Sequence, residues 1–435
     1  MNIPDVTQPR VVIVGGGFGG LELAKGLRGQ AYQVVLIDRH NYHTFQPLLY
    51  QVATAGLEPD SIAYPLRKVF KRQSNIFFRM AEVEHIDIEA NEIKTNIGAL
   101  HYDHLVLATG STTNFFGNAQ LERYSMGMKT VPESLDLRSL MLQNFEAALL
   151  TNQLEERESL MNFVIAGGGP TGVELAGALA ELKKHVLHND YPDLDIRRMN
   201  IHLIEGAPRV LAAMSEESSA KALRFLEQLG VQVWLNTLVS DFDGQLITTN
   251  DSKVSFKTRS LIWAAGVKAV SLPGIPAASL VKGNRIQVDE FNRIPGLKNI
   301  YAIGDLAFME SEEWPQGHPM MAQPAIQQGK LLAKNLRAQL KHKKWKAFNY
   351  SDKGSMATVG RNLAVVDLPK LHFQGFFAWF VWMFIHLIAL VGFRNKLIVL
   401  ANWAWSYLNF DRGIRLIIRP FNPRAGMGKA ADNRS

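Results

Sequence analysis

Two stretches of the chain share one pattern of apolar and polar positions. In each, a short apolar run meets a glycine-rich turn, a helix with one apolar face follows, and a second apolar run ends at an acidic residue. The first copy extends from Val11–Val14 to Asp38. The second extends from Phe163–Ala166 to Glu205, with its helix predicted from Val173 to about His188. A buried strand, a helix and a second buried strand in this order predict a βαβ unit with a parallel sheet.

Further apolar runs predict the strands that complete each sheet. Leu105–Gly110 and Leu261–Gly266 both end at a glycine, and Asn299–Asp305 ends at a Gly-Asp pair. Gln327–Leu340 has the period of a helix. This order of elements predicts the α/β class with two Rossmann-like dinucleotide-binding domains.

The predicted domain organisation is discontinuous. We expect the first part of one dinucleotide-binding domain at 1–118 and its second part at 276–340. The other dinucleotide-binding domain is inserted at 119–275, with its nucleotide unit at 161–268. A C-terminal region at 341–435 follows a basic linker and differs in pattern from the rest of the chain.

The C-terminal region is strongly apolar. Leu371–Phe393 contains no charged residue other than His, and a second apolar run, Leu397–Phe410, follows Arg394 and Lys396. The first run is long enough for a membrane span. However, Trp and Tyr are spread through both runs, and a span would carry the later basic residues to the far side of the bilayer. We therefore expect two apolar helices in one leaflet, with Lys and Arg on anionic lipid, and a homodimer interface stays open as an alternative.

The absence of cysteine is the feature of the composition that most restricts the possible chemistry. The chain has no cysteine, which excludes disulfides, thiolate metal sites, iron–sulfur clusters and thiol redox mechanisms. The net charge is +7, and from Arg394 onward eight Lys and Arg residues accompany only two Asp residues. No zinc spacing or nucleic-acid-binding motif goes with this charge, so we expect neither a metal site nor a nucleic-acid partner.

The glycines of both turns have separate tasks in a dinucleotide-binding unit. The first permits the tight turn, the second lets a pyrophosphate approach the backbone, and the third lets helix and strand pack closely. The N-terminus of the following helix then offers N–H groups to the phosphates. In chain order these positions are Gly15, Gly17 and Gly20 in the first copy and Gly167, Gly169 and Gly172 in the second.

An acid ends the second strand of each unit. Asp38 and Glu205 are placed to accept hydrogen bonds from ribose hydroxyls. Glu205 would also repel a 2′-phosphate, which favours NADH over NADPH, although Arg209 nearby weakens this inference.

These motifs carry a resemblance to a known family. The paired units, the LATG and AAG turns and the IYAIGD segment resemble the two-dinucleotide-binding flavoproteins. Within them, Asn41–Leu57 (NYHTFQPLLYQVATAGL) and Ala322–Gln327 (AQPAIQ) resemble type II NADH dehydrogenases, which are single-subunit NADH:quinone oxidoreductases that pump no protons. The resemblance covers essentially the whole chain. It implies non-covalent FAD in the first unit, NADH in the inserted unit, and electron transfer to a membrane quinone.

The resemblance also implies a set of site residues. Glu174 resembles the carboxylate between nicotinamide and flavin, and Gln323 and Gln327 resemble the quinone-side pair, so these three are the candidate catalytic residues. Two plainer interpretations stay open, because the helix dipole alone would favour Glu174 in a first turn and Gln323 could cap local amides. The implied FAD contacts are Gly15, Gly17, Phe18, Gly19, Gly20, Asp38, Gln46, Pro47, Thr109, Gly110, Asp305 and Gln323. The implied NADH contacts are Gly167, Gly169, Pro170, Thr171, Gly172, Glu174, Glu205 and Gly266.

The missing cysteines separate the functional alternatives. Disulfide reductases, sulfide:quinone oxidoreductases and water-forming NADH oxidases of this fold depend on cysteine, so we exclude them. Two alternatives stay open: a soluble NADH-dependent reductase of a small electron-carrier protein, and a non-catalytic NAD-sensing flavoprotein. For the favoured quinone reductase we expect peripheral attachment to the cytoplasmic face of the inner (cell) membrane.

Overall fold

The computed structural model describes residues 1–251, 254–409, 414–417 and 420–421. The strands are β1 Arg10–Val14, β2 Gln33–Asp38, β3 Tyr42–Thr44, β4 Ala63–Pro65, β5 Ile76–Met80, β6 Val83–Asp87, β7 Glu92–Thr95, β8 Leu100–His101, β9 His104–Leu107, β10 Ser111–Thr113, β11 Asn162–Ala166, β12 Asn200–Ile204, β13 Gln232–Trp234, β14 Val239–Phe242, β15 Leu246–Thr249, β16 Ser255–Lys257, β17 Ser260–Trp263, β18 Val267–Ala269, β19 Leu280–Val281, β20 Arg285–Gln287, β21 Ile300–Ala302, β22 Ala307–Phe308, β23 Ser355–Gly360, β24 Leu363–Leu368 and β25 Leu371–Gln374.

The α-helices are α1 Phe18–Gly26, α2 Leu49–Ala53, α3 Pro59–Ile62, α4 Leu66–Val69, α5 Ala119–Tyr124, α6 Val131–Leu150, α7 Leu154–Met161, α8 Pro170–Leu182, α9 His188–Asp190, α10 Glu216–Gln228, α11 Ala322–Gln339, α12 Phe376–Ala389 and α13 Phe393–Asn409. Short 3₁₀ turns occur at Gln46–Leu48, Ile196–Arg198, Ala277–Ser279, Lys282–Asn284 and Gly304–Leu306, and a π-helical turn at Lys183–Leu187 joins α8 to α9.

The chain divides into two compact units, each assembled from three stretches. The first unit comprises Met1–Thr44, Tyr64–Thr112 and Val267–Lys353, and the second comprises Phe45–Ala63, Thr113–Gly266 and Gly354–Ser435. The changes at 112/113 and 266/267 fall a few residues before the expected 118/119 and 275/276. Two features differ from the expected organisation: 45–63 belongs to the second unit, and the C-terminal stretch joins that unit because β23 packs on α8.

The first unit is built around a five-stranded parallel sheet with strand order β21-β9-β1-β2-β5. Val12 lies opposite Val35 on one side and Leu105 on the other, and all three side chains are fully buried. Such continuous burial explains why these strands appear in the sequence as uninterrupted apolar runs. The helices α1 and α11 pack on each other, where Gly26 faces Ala333.

The second unit repeats this architecture in a four-stranded parallel sheet with order β13-β12-β11-β17. A separate antiparallel sheet, β23-β24-β25, lies against α8. The contact is close at Gly177, where an added Cβ would lie 1.5 Å from the carbonyl oxygen of Val359. Gly177 therefore sets how near α8 can approach β23.

Two helices begin earlier than their patterns predict. The helix α11 was expected at Gln327–Leu340 but starts at Ala322, because Pro324 is accommodated in the first turn, where no N–H partner is lost. The helix α8 was expected from Val173 but starts at Pro170, which occupies the first helical position.

The apolar run from Leu371 to Phe393 is not one continuous element. It contains β25, a turn at Gly375 with φ +82°, and α12, before α13 begins at Phe393. With 14 residues, α12 is about 21 Å long at 1.5 Å per residue. In the parts of the chain that the structure describes, no helix is both long and apolar enough to cross a membrane. Phe410, the last residue of the second apolar run, and Arg412 and Arg419 of the basic tail lie outside the described residues.

Side-chain hydrogen bonds fasten α13 to the stretch at 45–63. The Asn395 side-chain NH₂ donates to the carbonyl oxygens of Asp60, Ser61 and Ala63 at 2.8, 3.1 and 3.2 Å. Asn395 is only 4 % exposed, so its polar group needs these partners. The polar residue thus fixes one side of a helix whose other side is apolar and exposed.

Candidate active site

The three glycines of the turn in the first unit differ in the space around them. Gly15 has φ +109°, and an added Cβ there would lie 2.2 Å from the carbonyl oxygen of Ala108. A Cβ on Gly20 would lie 1.9 Å from the carbonyl oxygen of Gly15, so this glycine permits close packing of α1 on β1. A Cβ on Gly17 would meet no atom within 4 Å. The turn is therefore crowded at two glycines and open at the third, where a pyrophosphate needs room.

The carboxylate of Asp38 is fixed by two main-chain donors. The Gly16 N–H donates to Oδ2 at 2.6 Å and the His40 N–H donates to Oδ1 at 2.7 Å. A carboxylate has about four acceptor positions, so capacity for ribose hydroxyls remains.

His43 is a buried residue at this turn that sequence reasoning missed. Its ring lies edge-on to Phe18 at 5.2 Å, and its Nδ1 lies 2.9 Å from the Gly16 carbonyl oxygen. Burial lowers the pKa of His43 to about 4, so the ring is neutral at pH 7 and Nδ1–H donates to the carbonyl. Its Nε2 has no partner among the described residues. An orphaned buried acceptor beside an open turn fits a site for a bound cofactor.

The late Gly-Asp segment lies on a 3₁₀ turn at the end of β21. The Ser111 hydroxyl donates to Asp305 Oδ2 at 2.5 Å. The buried Gln328 side chain, which the sequence did not single out, accepts from the Gly304 N–H at 2.7 Å and so holds the turn. Gly110, three residues after β9, has φ +71°, and a Cβ added there would meet no atom within 4 Å.

Thr109 precedes that glycine, and its hydroxyl donates to the Val270 carbonyl at 2.5 Å. Gln46 and Pro47 begin a 3₁₀ turn that belongs to the second unit, with Gln46 exposed and Pro47 half-buried. Gly19 lies in α1, where an added Cβ would lie 3.1 Å from Ile303.

The glycine turn of the second unit has the same geometry as the first. Gly167 has φ +113° and would place a Cβ 2.5 Å from the Ala264 carbonyl oxygen. A Cβ on Gly172 would lie 1.9 Å from the Gly167 carbonyl oxygen, whereas one on Gly169 would meet nothing within 4 Å. Two independent turns thus leave open the one position that a dinucleotide requires.

Glu205 is held like Asp38. The Gly168 N–H donates to its Oε2 at 2.5 Å and the Ala207 N–H donates to its Oε1 at 2.7 Å. The guanidinium of Arg209 donates to two main-chain carbonyls of the following loop at 2.8 and 2.9 Å. Because the Arg209 guanidinium makes these bonds, it is less available to bind a 2′-phosphate.

The other predicted NADH contacts surround this turn. Pro170 and Thr171 form the exposed start of α8. Gly266 follows β17, and an added Cβ there would lie 3.0 Å from the ring of Phe116.

Glu174 is a buried acid on α8. The helix starts at Pro170 and its first turn contains no acidic residue, so the interpretation from the helix dipole is wrong. The side chain is only 8 % exposed, and the Thr358 N–H donates to its Oε1 at 3.4 Å. Burial raises the pKa of Glu174 to about 8, while Thr358 and the side chain of Trp382 oppose the rise. The carboxyl is thus largely protonated at neutral pH.

A cavity of about 120 Å³ opens beside this carboxyl within the second unit. Trp382 forms one wall and stacks on His386 with ring centres 4.3 Å apart. Among the described residues, its indole N–H makes no hydrogen bond of normal geometry. Trp403 donates from Nε1 to Gln51 Oε1 at 2.8 Å on another wall. The lining residues are Tyr50, Gln51, Thr54, Gly56, Glu174, Ala178, Glu181, His185, Val186, Thr358, Gly360, Arg361, Trp379, Trp382, Met383, Trp403, Ser406 and Tyr407.

Gln323 and Gln327 are one turn apart on α11 in the first unit. Gln323 is exposed. The Gln327 amide donates to the Ser351 carbonyl at 2.9 Å and accepts from the Ser351 N–H at 3.0 Å. Both polar groups of Gln327 therefore hold the backbone that follows the helix.

The residues around Glu174 were mostly missed from the sequence. Thr358 lies on a strand 184 positions further along the chain, and no local pattern connects the two. Glu181 and His185 were recognisable, because they follow Glu174 at helical spacing. Across the described ranges, no cluster of His, Asp or Glu could hold a metal ion.

Known proteins match this chain over most of its length. Residues 9–329 match the family model for pyridine nucleotide-disulphide oxidoreductases, and residues 353–412 match the model for the NDH2 C-terminal domain. The type II NADH:quinone oxidoreductase Ndh of Mycobacterium tuberculosis is 36% identical over 93% of this chain and 89% of its own length. The internal alternative NAD(P)H-ubiquinone oxidoreductase A1 of Solanum tuberosum mitochondria is 30% identical over 94% of this chain and 88% of its own length.

Solved structures agree with this in fold. The structure of NDH2 from Plasmodium falciparum in complex with NADH superposes with a TM-score of 0.86 over 95% of this chain and 100% of that one, at 21% identity. The sulfide:quinone oxidoreductase of Aquifex aeolicus superposes with a TM-score of 0.69 over 89% and 92%, at 20% identity. The chain belongs to the pyridine nucleotide-disulphide oxidoreductases and, within them, to the type II NADH:quinone oxidoreductase family.

Proposed function

We propose that this protein is an FAD-dependent NADH:quinone oxidoreductase that transfers electrons without pumping protons. The observation that carries the proposal is the pair of glycine turns, each open at Gly17 or Gly169 and each followed by a strand that ends in a fixed acid. FAD, when bound, accepts a hydride from NADH and passes two electrons to a quinone.

The residues of the chain position these molecules. The open space at Gly17 and the N-terminus of α1 suit the FAD pyrophosphate, and Asp38 suits a ribose hydroxyl. The corresponding groups for NADH are Gly169, the N-terminus of α8 and Glu205. Asp305, with Ser111, is the proposed partner of the ribityl portion of FAD, following the family resemblance.

For the acceptor, we assign separate roles to the two glutamines of α11. The exposed Gln323 is the proposed quinone contact. Gln327 acts through its two bonds to Ser351 and is a positioning residue.

An exposed apolar surface favours an acceptor dissolved in lipid over a small electron-carrier protein. We call this surface the C-terminal apolar surface. It consists of Phe376, Phe377, Phe380, Phe384, Ile385, Ile388, Phe393, Leu397, Leu400, Trp405 and Leu408, each at least 41 % exposed. Eleven exposed large apolar side chains on two consecutive helices are unusual for a soluble monomer.

The proposed occupant of the C-terminal apolar surface is a lipid surface at the cytoplasmic face of the inner membrane. The exposed cation Arg394 and the neighbouring Lys396 lie between α12 and the rest of α13, where lipid phosphates would meet them. A second copy of the chain is the alternative occupant.

Anaerobic stopped-flow spectroscopy tests the proposed function. NADH should bleach the flavin absorbance of the purified protein, and a water-soluble quinone should restore it at a rate that supports turnover. Rapid bleaching with reoxidation only by a small redox protein would support the carrier-protein alternative. Tight NADH binding without bleaching would support a sensor.

A further inference from the structure

The helix α8 and the π-helical turn after it connect the buried Glu174 with two ionisable residues nearer to solvent. Glu174, Ala178 and Glu181 follow one another at helical spacing on one side of α8, and His185 follows on the π-helical turn. All four line the cavity of the second unit. Glu174 is buried, whereas Glu181 and His185 are half-buried. The cavity therefore runs alongside a row of ionisable groups that leads out from the buried acid.

The reaction requires such a route. In the net reaction NADH, one proton and a quinone give NAD⁺ and a quinol. The hydride of NADH supplies two electrons and one proton equivalent, and the second proton on the quinol oxygen comes from water. A proton does not cross close-packed apolar side chains unaided, so each turnover needs a relay of ionisable groups or waters.

We propose that this cavity is a water-filled proton route in which Glu181 and His185 pass protons from solvent to the carboxyl of Glu174. This inference rests on the proposed quinone reductase activity. It assigns proton-relay roles to two residues that the nucleotide and quinone sites do not use.

The distances along α8 make water necessary. Seven residues of helix rise roughly 10 Å, so Glu174 and Glu181 are too far apart for a direct hydrogen bond. The cavity has about 120 Å³ of space, enough for several waters. Thr54 and Ser406 add hydroxyl groups to its walls. A chain of waters between the carboxyls is therefore compatible with both the room and the polarity.

The acceptor end of the route has the properties of a proton donor. Because its pKa is raised to about 8 by burial, Glu174 holds a proton at neutral pH and can be recharged after giving it up. The outer end is held in place, since the Arg361 N–H donates to Glu181 Oε1.

Other charged or titratable groups also face the cavity. Tyr50 comes from α2, Arg361 from the turn between β23 and β24, and Tyr407 from α13. The Arg361 guanidinium lies 3.8 Å from the centre of the Tyr407 ring. This contact places one fixed cation at the end of the cavity near Glu181.

Infrared spectroscopy of the protein provides a direct test that needs no turnover. The C=O band of protonated Glu174 is assigned by its loss in Glu174→Gln, and its shift is followed after rapid dilution into D₂O. In Glu181→Gln and His185→Gln we expect deuterium to reach this carboxyl at least tenfold more slowly than in the wild type. Glu181→Gln keeps an oxygen that can accept from the Arg361 N–H, so the fold is retained. Exchange at the wild-type rate in both variants would overturn the proposal.

Matched controls come from exposed residues. Glu227→Gln lies on α10, and His188→Gln lies three residues beyond His185 on the same run of helix. Both side chains are exposed and neither lines the cavity. Each control should exchange at the wild-type rate, and slowing by either would mean that the effect is not specific to the route.

Steady-state kinetics separates this inference from the proposed function. Glu181→Gln should lower kcat with quinone several-fold and enlarge the solvent deuterium isotope effect. Ferricyanide takes up electrons only, so its reduction releases one proton per NADH and needs none from solvent, and turnover with ferricyanide should stay unchanged. A rise only in the KM for quinone, or an equal loss with ferricyanide, would overturn the proton route. Failure of the wild type to reduce quinone would instead contradict the proposed function. The infrared exchange measurement would still show whether the proton route exists.

Discussion

At the scale of single residues, burial decides the charge of Glu174. The carboxyl is 8 % exposed and receives one long hydrogen bond, from the Thr358 N–H. The charged form loses its hydration without gaining comparable partners, so the neutral form is favoured. Asp38 and Glu205 have different partners, because two main-chain N–H groups donate to each carboxylate.

Glu174→Gln should stabilise the protein at alkaline pH and have little effect at acid pH. The folded-state pKa of Glu174 is raised from 4.5 to about 8, so the wild type loses stability as pH rises through this window. Each pKa unit corresponds to about 1.4 kcal/mol, which amounts to several kcal/mol above pH 8. Urea unfolding between pH 5 and pH 9 measures the difference. A difference that does not change with pH would show that the folded protein holds a charged Glu174.

Glu205→Arg should shift nucleotide preference toward NADPH. The substitution removes a ribose acceptor and supplies a cation for the 2′-phosphate, so the ratio of kcat/KM for NADPH to that for NADH should rise about tenfold or more. Because the bond from Gly168 is also lost, the Tm serves as a control for folding. An unchanged ratio would mean that another residue discriminates between the nucleotides.

The positions of candidate residues were predictable where the chain is locally patterned. The glycines and the terminal acids occur at fixed positions in each βαβ unit, so Gly17 and Glu205 could be named from the sequence. The environment of Glu174 could not, since Thr358 and Trp382 reach it only through tertiary packing. Likewise, nothing in the sequence shows that the Gln327 amide is occupied by Ser351.

At the scale of elements, the packing of α8 on β23 positions the buried acid. Gly177 lies on the same helix as Glu174, and its missing side chain lets β23 come close enough for Thr358 to reach the carboxyl. The start of the same helix carries the open turn at Gly169. One helix therefore carries both a glycine needed for packing and the glycine that we propose for NADH binding.

Gly177→Ala and Gly169→Ala should separate these two roles. The first places a methyl group 1.5 Å from a main-chain oxygen, so we expect a loss of about 1–3 kcal/mol or more. The second meets no protein atom but intrudes where the pyrophosphate would lie, so it should weaken NADH binding at nearly unchanged Tm. Calorimetry and NADH titration measure both. If both variants lowered Tm equally, Gly177 and Gly169 would not have the separate packing and binding roles expected here.

Gln323→Leu and Gln327→Leu, both on α11, should differ in whether they affect electron transfer or stability. Gln323→Leu should slow reoxidation of the flavin by quinone and leave its reduction by NADH intact, as stopped-flow would show. Gln327→Leu should lower stability by about 1 kcal/mol, because two main-chain bonds to Ser351 are lost. A slower reductive half-reaction in Gln323→Leu would place this residue away from the quinone.

The type and order of the main elements were predictable, but their ends were less so. Mostly apolar runs identified β1, β2, β11 and β12, although His202 interrupts β12, because these strands are buried on both faces. The sheet β23-β24-β25 was missed, since its strands were included in a region expected to be helical. That sheet packs the C-terminal stretch against the second unit, which the sequence did not predict.

At the scale of the whole molecule, the C-terminal apolar surface exposes many large apolar side chains to solvent. The opposite side of α12 is buried through Ala378 and Trp382, and Trp382 lies beside Glu174. Removing the segment would therefore disturb the site as well as the surface. Substitutions on the exposed side are the sharper test of membrane attachment.

Phe384→Glu combined with Ile388→Glu should abolish sedimentation with vesicles of anionic phospholipid. Each side chain is 55 % exposed, and apolar burial contributes roughly 25 cal/mol per Å², so high salt alone should not release the wild type. The control is Leu150→Glu, which alters an 88 % exposed side chain on α6. Unchanged sedimentation would remove the lipid proposal, and conversion of a dimer to a monomer by the double variant would favour a second copy of the chain.

The strand order of the first unit has a consequence for synthesis on the ribosome. In the parallel sheet β21 pairs with β9, although roughly 190 residues separate them in the chain. At about 5–20 residues per second, the ribosome needs on the order of 10–40 s to deliver β21 after β9 has emerged. During that interval β9 has an open edge, which is a template for pairing with other nascent chains. Chaperones that bind apolar strands should therefore engage this nascent chain before residue 300 is translated.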